Sequence, residues 1–292
     1  MRITDQMIFR RGTRDVASQR SNLFDLQVQS ATGQKFQSID KDPVSAERVR
    51  MLREAKQAAT HYETNITRSK TQLDTADTAL SEATNLLIRA KEIALAMGNE
   101  LTAPPERNIS AQEVESLYES MLNVANAEAA GEFIFAGYMT DTRPFLADGT
   151  YAGDSNLKEV DVGPSSRAEV GVSGENAFTV AGGIDVFAEM ENLRLALLAD
   201  DDVGIQTAIG TLDTCIAQVT RARTDVGLKL NRLDVSENVR QTLEDSLTKE
   251  ESSVIDIDPV DTFMRLNETA SALQEAMSVA QKVTSNSLLN HL

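Results

Sequence analysis

The chain has 292 residues and a formal charge of −17, with aromatic residues at only 4% and no tryptophan. So acidic a surface repels phosphate backbones and argues against nucleic acid as a partner, while 41% apolar residues argue against wholesale disorder. No apolar run of about 18 residues occurs, so no membrane insertion is expected, and the start, Met1-Arg2-Ile3-Thr4-Asp5-Gln6, lacks the apolar core of a cleaved signal peptide.

Alanine, leucine, glutamate and glutamine dominate long stretches, the profile of long helices rather than a compact enzyme domain. Charge is unevenly spread. Residues 1–60 hold 11 basic and 7 acidic side chains, an excess of +4 that leaves −21 for the remainder. That split suits head-to-tail packing between copies, and it also suits chance with solvated helix faces. Prolines stand only at 43, 104, 105, 144, 164 and 259, leaving long stretches in which a helix meets no interruption.

The first 30 or so residues carry an apolar stripe of Phe9, Val16, Leu23 and Leu26, which Gly12 and Gln19 interrupt. Asp42 as N-cap with Pro43 at the first helical position then starts a long helix. Its seam alternates steps of three and four from Leu52 through Ala59, Ile66, Leu73, Leu80 and Leu87 to Met97, with Ser69 its only polar member, and Gly98-Asn99 ends it. A second helix is expected to open at the capping box Ser110-x-x-Glu113 and to fold back along the first.

From 137 to 183 the character changes. Nine of the fifteen glycines lie between Gly131 and Gly183, and period-two alternation appears at Val160/Val162, Ala168/Val170/Val172 and Phe178/Val180. The stretch reads as a small β-rich insertion with a hairpin turn at Gly163-Pro164-Ser165-Ser166. A third helix is expected from about Ile205 to Val254, with Asp200-Asp201-Asp202 as a solvated cap before it. Fifty residues at helical rise make roughly 75 Å of rod. Asp258-Pro259 repeats the earlier Asp-Pro start, and the last helix carries Phe263, Leu266, Ala270, Leu273, Met277 and Ala280 in one stripe, ending in Leu288, Leu289 and Leu292.

The fold class expected is mainly α: a long coiled-coil-like helical rod with paired terminal helices and a small β-rich insertion domain. Its segments are an N-terminal assembly helix and turn (1–42), the first half of the rod (43–136), the outer β-rich domain (137–183), the second half of the rod (184–257) and a C-terminal assembly helix (258–292). Each terminal helix has one apolar stripe and too little intrinsic stability to stand alone. A four-helix bundle folding all of them together fits the pattern as well.

Four stretches resemble the flagellin-like axial proteins of the bacterial flagellum, and within them the hook–filament junction family. The first is Met1-Arg2-Ile3-Thr4 with Gln29-Ser30-Ala31-Thr32-Gly33-Gln34-Lys35, similar to the family's turn after the first helix. The second is Ile39-Asp40-Lys41-Asp42-Pro43, where Lys41 replaces the usual acidic residue. The third and most specific runs Gly131-Glu132-Phe133-Ile134-Phe135-Ala136-Gly137, then Thr140-x-Thr142-x-Pro144-Phe145 and Tyr151-x-Gly153-Asp154. The fourth is the end, Ser287-Leu288-Leu289-Asn290-His291-Leu292, with His291 in place of the usual tyrosine.

The resemblance implies a secreted, non-catalytic structural subunit that joins the hook to the filament. The family builds a tube wall from paired terminal helices that stay disordered until assembly. The partners implied are further copies in a helical ring, the preceding hook-associated protein, flagellin and an export chaperone. Passage through the flagellar export apparatus without a cleaved signal is implied as well. Assembly is expected to rest on Ile3, Met7, Leu23, Leu26, Phe263, Leu266, Leu273, Met277, Leu288, Leu289 and Leu292. The alternatives are flagellin itself and a non-flagellar coiled-coil scaffold.

Features suggestive of chemistry have simpler readings. His61 lies beside a helix seam and nothing pairs with it or His291, so neither a metal nor a cofactor is expected. Asp256-Ile257-Asp258-Pro259-Val260-Asp261 lacks the glycine and bidentate glutamate of a calcium loop and reads as a helix cap. Cys215 reads as a small buried residue. No phosphate-binding or nucleophile-elbow motif occurs with the right flanks, and no enzyme is expected.

Overall fold

Proline placement and side-chain caps decide where the helices of this chain begin. The computed structural model describes residues 2–36, 40–99 and 103–289. In chain order they form α1 (Arg2–Thr32), α2 (Pro43–Met97), α3 (Pro104–Ala125), β1 (Glu128–Ala129), β2 (Glu132–Phe133), β3 (Glu159–Gly163) and β4 (Ser166–Glu169). There follow α4 (Gly174–Phe178), a 3-10 turn (Val180–Gly182), α5 (Val186–Leu198), α6 (Asp202–Ile255) and α7 (Pro259–Leu289). The mainly α architecture with a small β insertion is the expected one.

Both Asp-Pro starts behave as read. The Asp42 carboxylate accepts from the Ser45 amide at 3.1 Å, and hydrogen bonding by the Ser45 side chain, with its amide second, holds the carboxyl below the usual range. The Asp258 carboxylate accepts from the Val260 amide at 2.9 Å. Three expectations need correction. Helix α3 opens at Pro104-Pro105, six residues before Ser110, because two prolines pre-set the first-turn dihedrals and lack the amides a first turn cannot satisfy. Phe178/Val180 is not a strand: Ser173 caps α4 by accepting from the Asn176 amide at 3.2 Å, and Thr179 caps the turn that follows. A separate helix, α5, precedes the third long helix, capped by Asp185, whose carboxylate accepts from the Ala188 amide at 2.9 Å.

The chain divides into two compact units, Met1–Gln57 with Glu244–Leu292, and Ala58–Leu243. In the first, α1 packs on α7. In the second, ion pairs Glu63–Arg240, Asp77–Arg223 and Lys91–Asp213 tie α2 to α6. The α6 number falls as the α2 number rises, so the two run antiparallel. The expected seam is the core: Ile66, Leu73, Leu80 and Leu87 are buried, as are Leu212, Val219, Val226 and Leu233 opposite. Each such side chain contributes roughly 1.5–3 kcal/mol. Ser69 is buried too and donates its hydroxyl to the Asn65 carbonyl. Helix α3 returns beside α2, bridged by Arg89–Glu113 at 2.7 Å, and packs on α5.

The β insertion consists of two small antiparallel pairs. In the first, Ala130 (φ 53°) and Gly131 (φ 81°) supply the two positive dihedrals that a tight hairpin turn requires. In the second, β3 and β4 pair Glu159 with Glu169 and Asp161 with Arg167 across the expected turn, with a register irregularity between Asp161 and Gly163. Helix side chains take its outer carbonyls: Asn65 donates to Asp161 and Lys229 to Gly171.

Candidate assembly surface

The expected assembly residues that fall within the described residues sit in the first unit, on two paired helices, but not on one face. Leu26 is buried, and Leu23, Leu266 and Leu273 are half-buried on the stripes through which α1 and α7 pack on each other. Met7 (66% exposed), Phe263 (59%) and Met277 (49%) are open to solvent instead. Ile3, Leu288 and Leu289 lie on α1 and α7 with side chains outside the described part, and Leu292, His291 and Ile39 lie outside the described residues. Phe24, Val260 and Met264 add to the exposed apolar surface, which sequence reasoning missed. Other exposed apolar side chains, among them Met51, Leu95, Leu228 and Val239, lie along the long helices.

The turn after α1 fixes this pair to the elbow between α6 and α7. Gly33 at φ 73° ends α1 with its amide bonded to the Gln29 carbonyl. The Lys35 amide donates to the Ile255 carbonyl at 2.7 Å, and the Ile257 amide donates to the Gly33 carbonyl at 3.0 Å. Lys35 Nζ then donates to the Ser253 carbonyl at 2.8 Å, where a cation also suits the negative end of α6. Lys41, the residue that departs from the family pattern, pairs with Asp25 at 2.8 Å.

Glu251 binds the same elbow to α2. Its carboxylate, 15% exposed, accepts from Arg53 Nε at 2.8 Å and Lys56 Nζ at 3.0 Å, and these bonds hold it below the ordinary value of 4.5. A carboxyl depressed in the folded state stabilises fully above its unfolded pKa, and loses that contribution as pH falls through the folded one. Hydrogen exchange in 244–257 is therefore expected to quicken below about pH 4.5, and Glu251→Gln is expected to flatten that response. An unchanged pH profile in the variant would refute the assignment.

The signature segment folds into a closed knot in the second unit. Phe135, Pro144 and Phe145 are buried, and Phe145 meets Tyr151, Phe178 and Phe187 at centroid distances of 5.1, 5.5 and 5.2 Å. Burial pushes the Tyr151 hydroxyl up to about 12, so it keeps its proton and donates to the Phe135 and Asp154 carbonyls, each at 3.0 Å. The Phe133 amide donates to the Thr140 carbonyl, and the Thr142 amide to that of Met139. Gly137 takes φ 67° against the Asp154 backbone. These residues shape a core.

Ionisable groups elsewhere serve structure. Among the described residues no group of three His, Cys, Asp or Glu could hold a metal. Burial, with Glu189 and Asp185 adding to it, pushes the Cys215 thiol up to about 12. Arg107, 2% exposed, pairs with Asp200 at 2.6 Å and with Asp202, and donates to the Asn99 carbonyl at 3.1 Å. The Asp200–Asp202 run is thus a clamp as well as a cap. Its only sequence signal was a lone arginine after Pro104-Pro105-Glu106.

Comparison with known proteins places both ends of the chain in one family. Residues 4–140 match the family described as "Bacterial flagellin N-terminal helical region", and residues 209–292 match "Bacterial flagellin C-terminal helical region". The chain is similar to flagellar hook-associated protein 3 of Escherichia coli (strain K12), 24% identical over 282 residues covering 88% of this chain and 89% of that protein. It is also similar to flagellin of Bacillus subtilis (strain 168), 25% identical over 235 residues, 74% of this chain and 75% of that one. Among solved structures, Xanthomonas campestris FlgL superposes with a TM-score of 0.62 at 18% identity, covering 68% of this chain and 99% of that chain.

Proposed function

We propose, from the premise that this chain belongs to the flagellin-like family and is of the hook-associated protein 3 type, a division of labour between its two units. The protein is a structural subunit of the bacterial flagellum that joins hook to filament. Its paired ends, α1 and α7, polymerise with further copies in a ring, and the second unit holds the shape that successive subunits meet. The preceding hook-associated protein lies on one side of that ring and flagellin on the other. An export chaperone would shield the exposed apolar residues of α7 before assembly, and the chain would reach the cell exterior through the flagellar export apparatus.

The observation that carries the junction reading is the match along nearly the whole of a hook-associated protein, signature segment included, against a shorter match to flagellin. Exposed Met7, Phe24, Phe263 and Met264 on the terminal pair support polymerisation there. The test is gene deletion with electron microscopy of the cells and assay of the medium for flagellin. Hooks without filaments, and flagellin monomers released, are expected. Loss of filament without released flagellin would mean that the chain is itself the filament subunit. Unchanged filaments would overturn both readings.

A further inference from the structure

Residues 58–243 carry 14 basic and 29 acidic side chains, a net charge of −15. One groove of this second unit reverses that sign. It lies between α6 and the segment 172–182, holds about 320 Å³, and takes its charged lining from Arg221, Asp225 and Lys229. Lys229 Nζ neutralises Asp225 at 3.0 Å and donates to the Gly171 carbonyl at 2.9 Å, so the groove keeps one net positive charge. Arg221 holds that charge. Its Nε donates to the Ala217 carbonyl at 3.3 Å, and among the described residues its two Nη groups meet no acceptor.

The wall facing α6 is held in place by one buried side chain. Gln218, 2% exposed, donates Nε2 to the Ala177, Thr179 and Ile184 carbonyls at 3.2, 3.1 and 2.9 Å. Its Oε1 accepts from the Ile184 amide at 2.9 Å. Other polar groups of the groove are uncommitted. The Ser173 hydroxyl, 6% exposed, accepts from the Asn176 amide at 3.2 Å, but its own proton has no acceptor among the described residues. The Asn176 side-chain amide has no partner among them either. A buried hydroxyl whose proton goes unused is costly, and it marks a place that a ligand can satisfy.

We infer that this groove binds a carboxylate on a short apolar stem. Arg221 forks onto the carboxylate, Ser173 and Asn176 donate to it, and the stem lies along Leu157 and Val172. One guanidinium matches one carboxylate, whereas a polyphosphate is repelled by the acidic unit around it. With the walls already fixed, the ordering cost of binding falls on the ligand alone. A free short-chain dicarboxylic acid and a glutamate side chain on another polypeptide present the same group. The site is independent of the ring reading and needs no assembled flagellum to be tested.

The test is NMR titration of the 15N-labelled full chain with glutarate at constant ionic strength, which removes the general effect of screening. The Asn176 side-chain amide and the Ala181 and Gly182 backbone amides should shift and saturate with a Kd on the order of 1 mM. Arg221→Gln should weaken binding on the order of tenfold, and Arg221→Lys should recover part of that loss. Circular dichroism checks that helix content holds, and Asn176→Ala, also expected to bind more weakly, replaces a variant that loses it. An acetylated and amidated Ala-Glu-Ala tripeptide separates the two sources. Tighter binding than glutarate assigns the site to a side chain of a partner, weaker binding to a free acid. No saturating shift with either probe, equal shifts with uncharged glutaramide, tighter binding of inorganic phosphate, or an unchanged Kd in a folded Arg221→Gln would each overturn the assignment.

Discussion

Replacing Phe145 with alanine is expected to cost the second unit about 3–5 kcal/mol, the range for truncating a fully buried phenylalanine. The ring packs on Tyr151, on Phe178 of α4 and on Phe187 of α5. No polar group is orphaned by the change. The Phe145 amide still donates to Asn126 Oδ1, and Asn126 Nδ2 still donates to the Phe145 carbonyl, each at 3.0 Å. The loss is therefore one of packing, and Phe145→Leu should recover more than half of it. Urea unfolding followed by circular dichroism measures the difference. A cost below about 1 kcal/mol would mean that the knot repacks around the void.

Gly137→Ala should be at least as damaging, for a different reason. At φ 67° any side chain costs about 1 kcal/mol or more. Here an added Cβ would also stand 1.9 Å from the Asp154 carbonyl oxygen and 3.0 Å from that of Asn156. Both are backbone atoms, so neither can swing aside. The Asp154 carbonyl is one that Tyr151 donates to, and the Asp154 amide bonds the Ala136 carbonyl, so displacing this segment breaks that network. The variant is expected to lose protection from hydrogen exchange across 133–156 while α7 keeps its own. Wild-type protection there would show that the turn can open without cost.

Much of the fold was legible because proline and capping chemistry act locally. Asp42-Pro43 and Asp258-Pro259 mark helix starts without reference to anything distant, and the seam from Leu52 to Met97 repeats too regularly to be anything but a helix. The errors arose where two local signals competed. Ser110-x-x-Glu113 has the pattern of a capping box, yet the prolines upstream had already begun the helix. Phe178 and Val180 alternate like a strand over too few residues to outweigh the caps at Ser173 and Thr179. What sequence could not divide was the apolar content of the terminal helices. Leu23 and Met7 belong to the same amphipathic segment, and only the packing of α1 on α7 separates the residue that holds the pair together from the one left outside. Arg107 was invisible for a related reason, since its two aspartates lie some 90 residues away.

The Lys35 bolt has a consequence for the order in which the chain can fold. Its partner at Ser253 is 218 residues further on, so α1 is made long before the groove that receives it. At about 5–20 residues per second, synthesis leaves that helix waiting for roughly 10–45 s. During that interval a single amphipathic stripe has nothing to bury against and gains little by staying helical. The second unit, whose contacts close over shorter separations, can be complete first. Terminal ordering then becomes the last and most reversible step of folding, which leaves the ends of the chain available to other binders until their own partner exists.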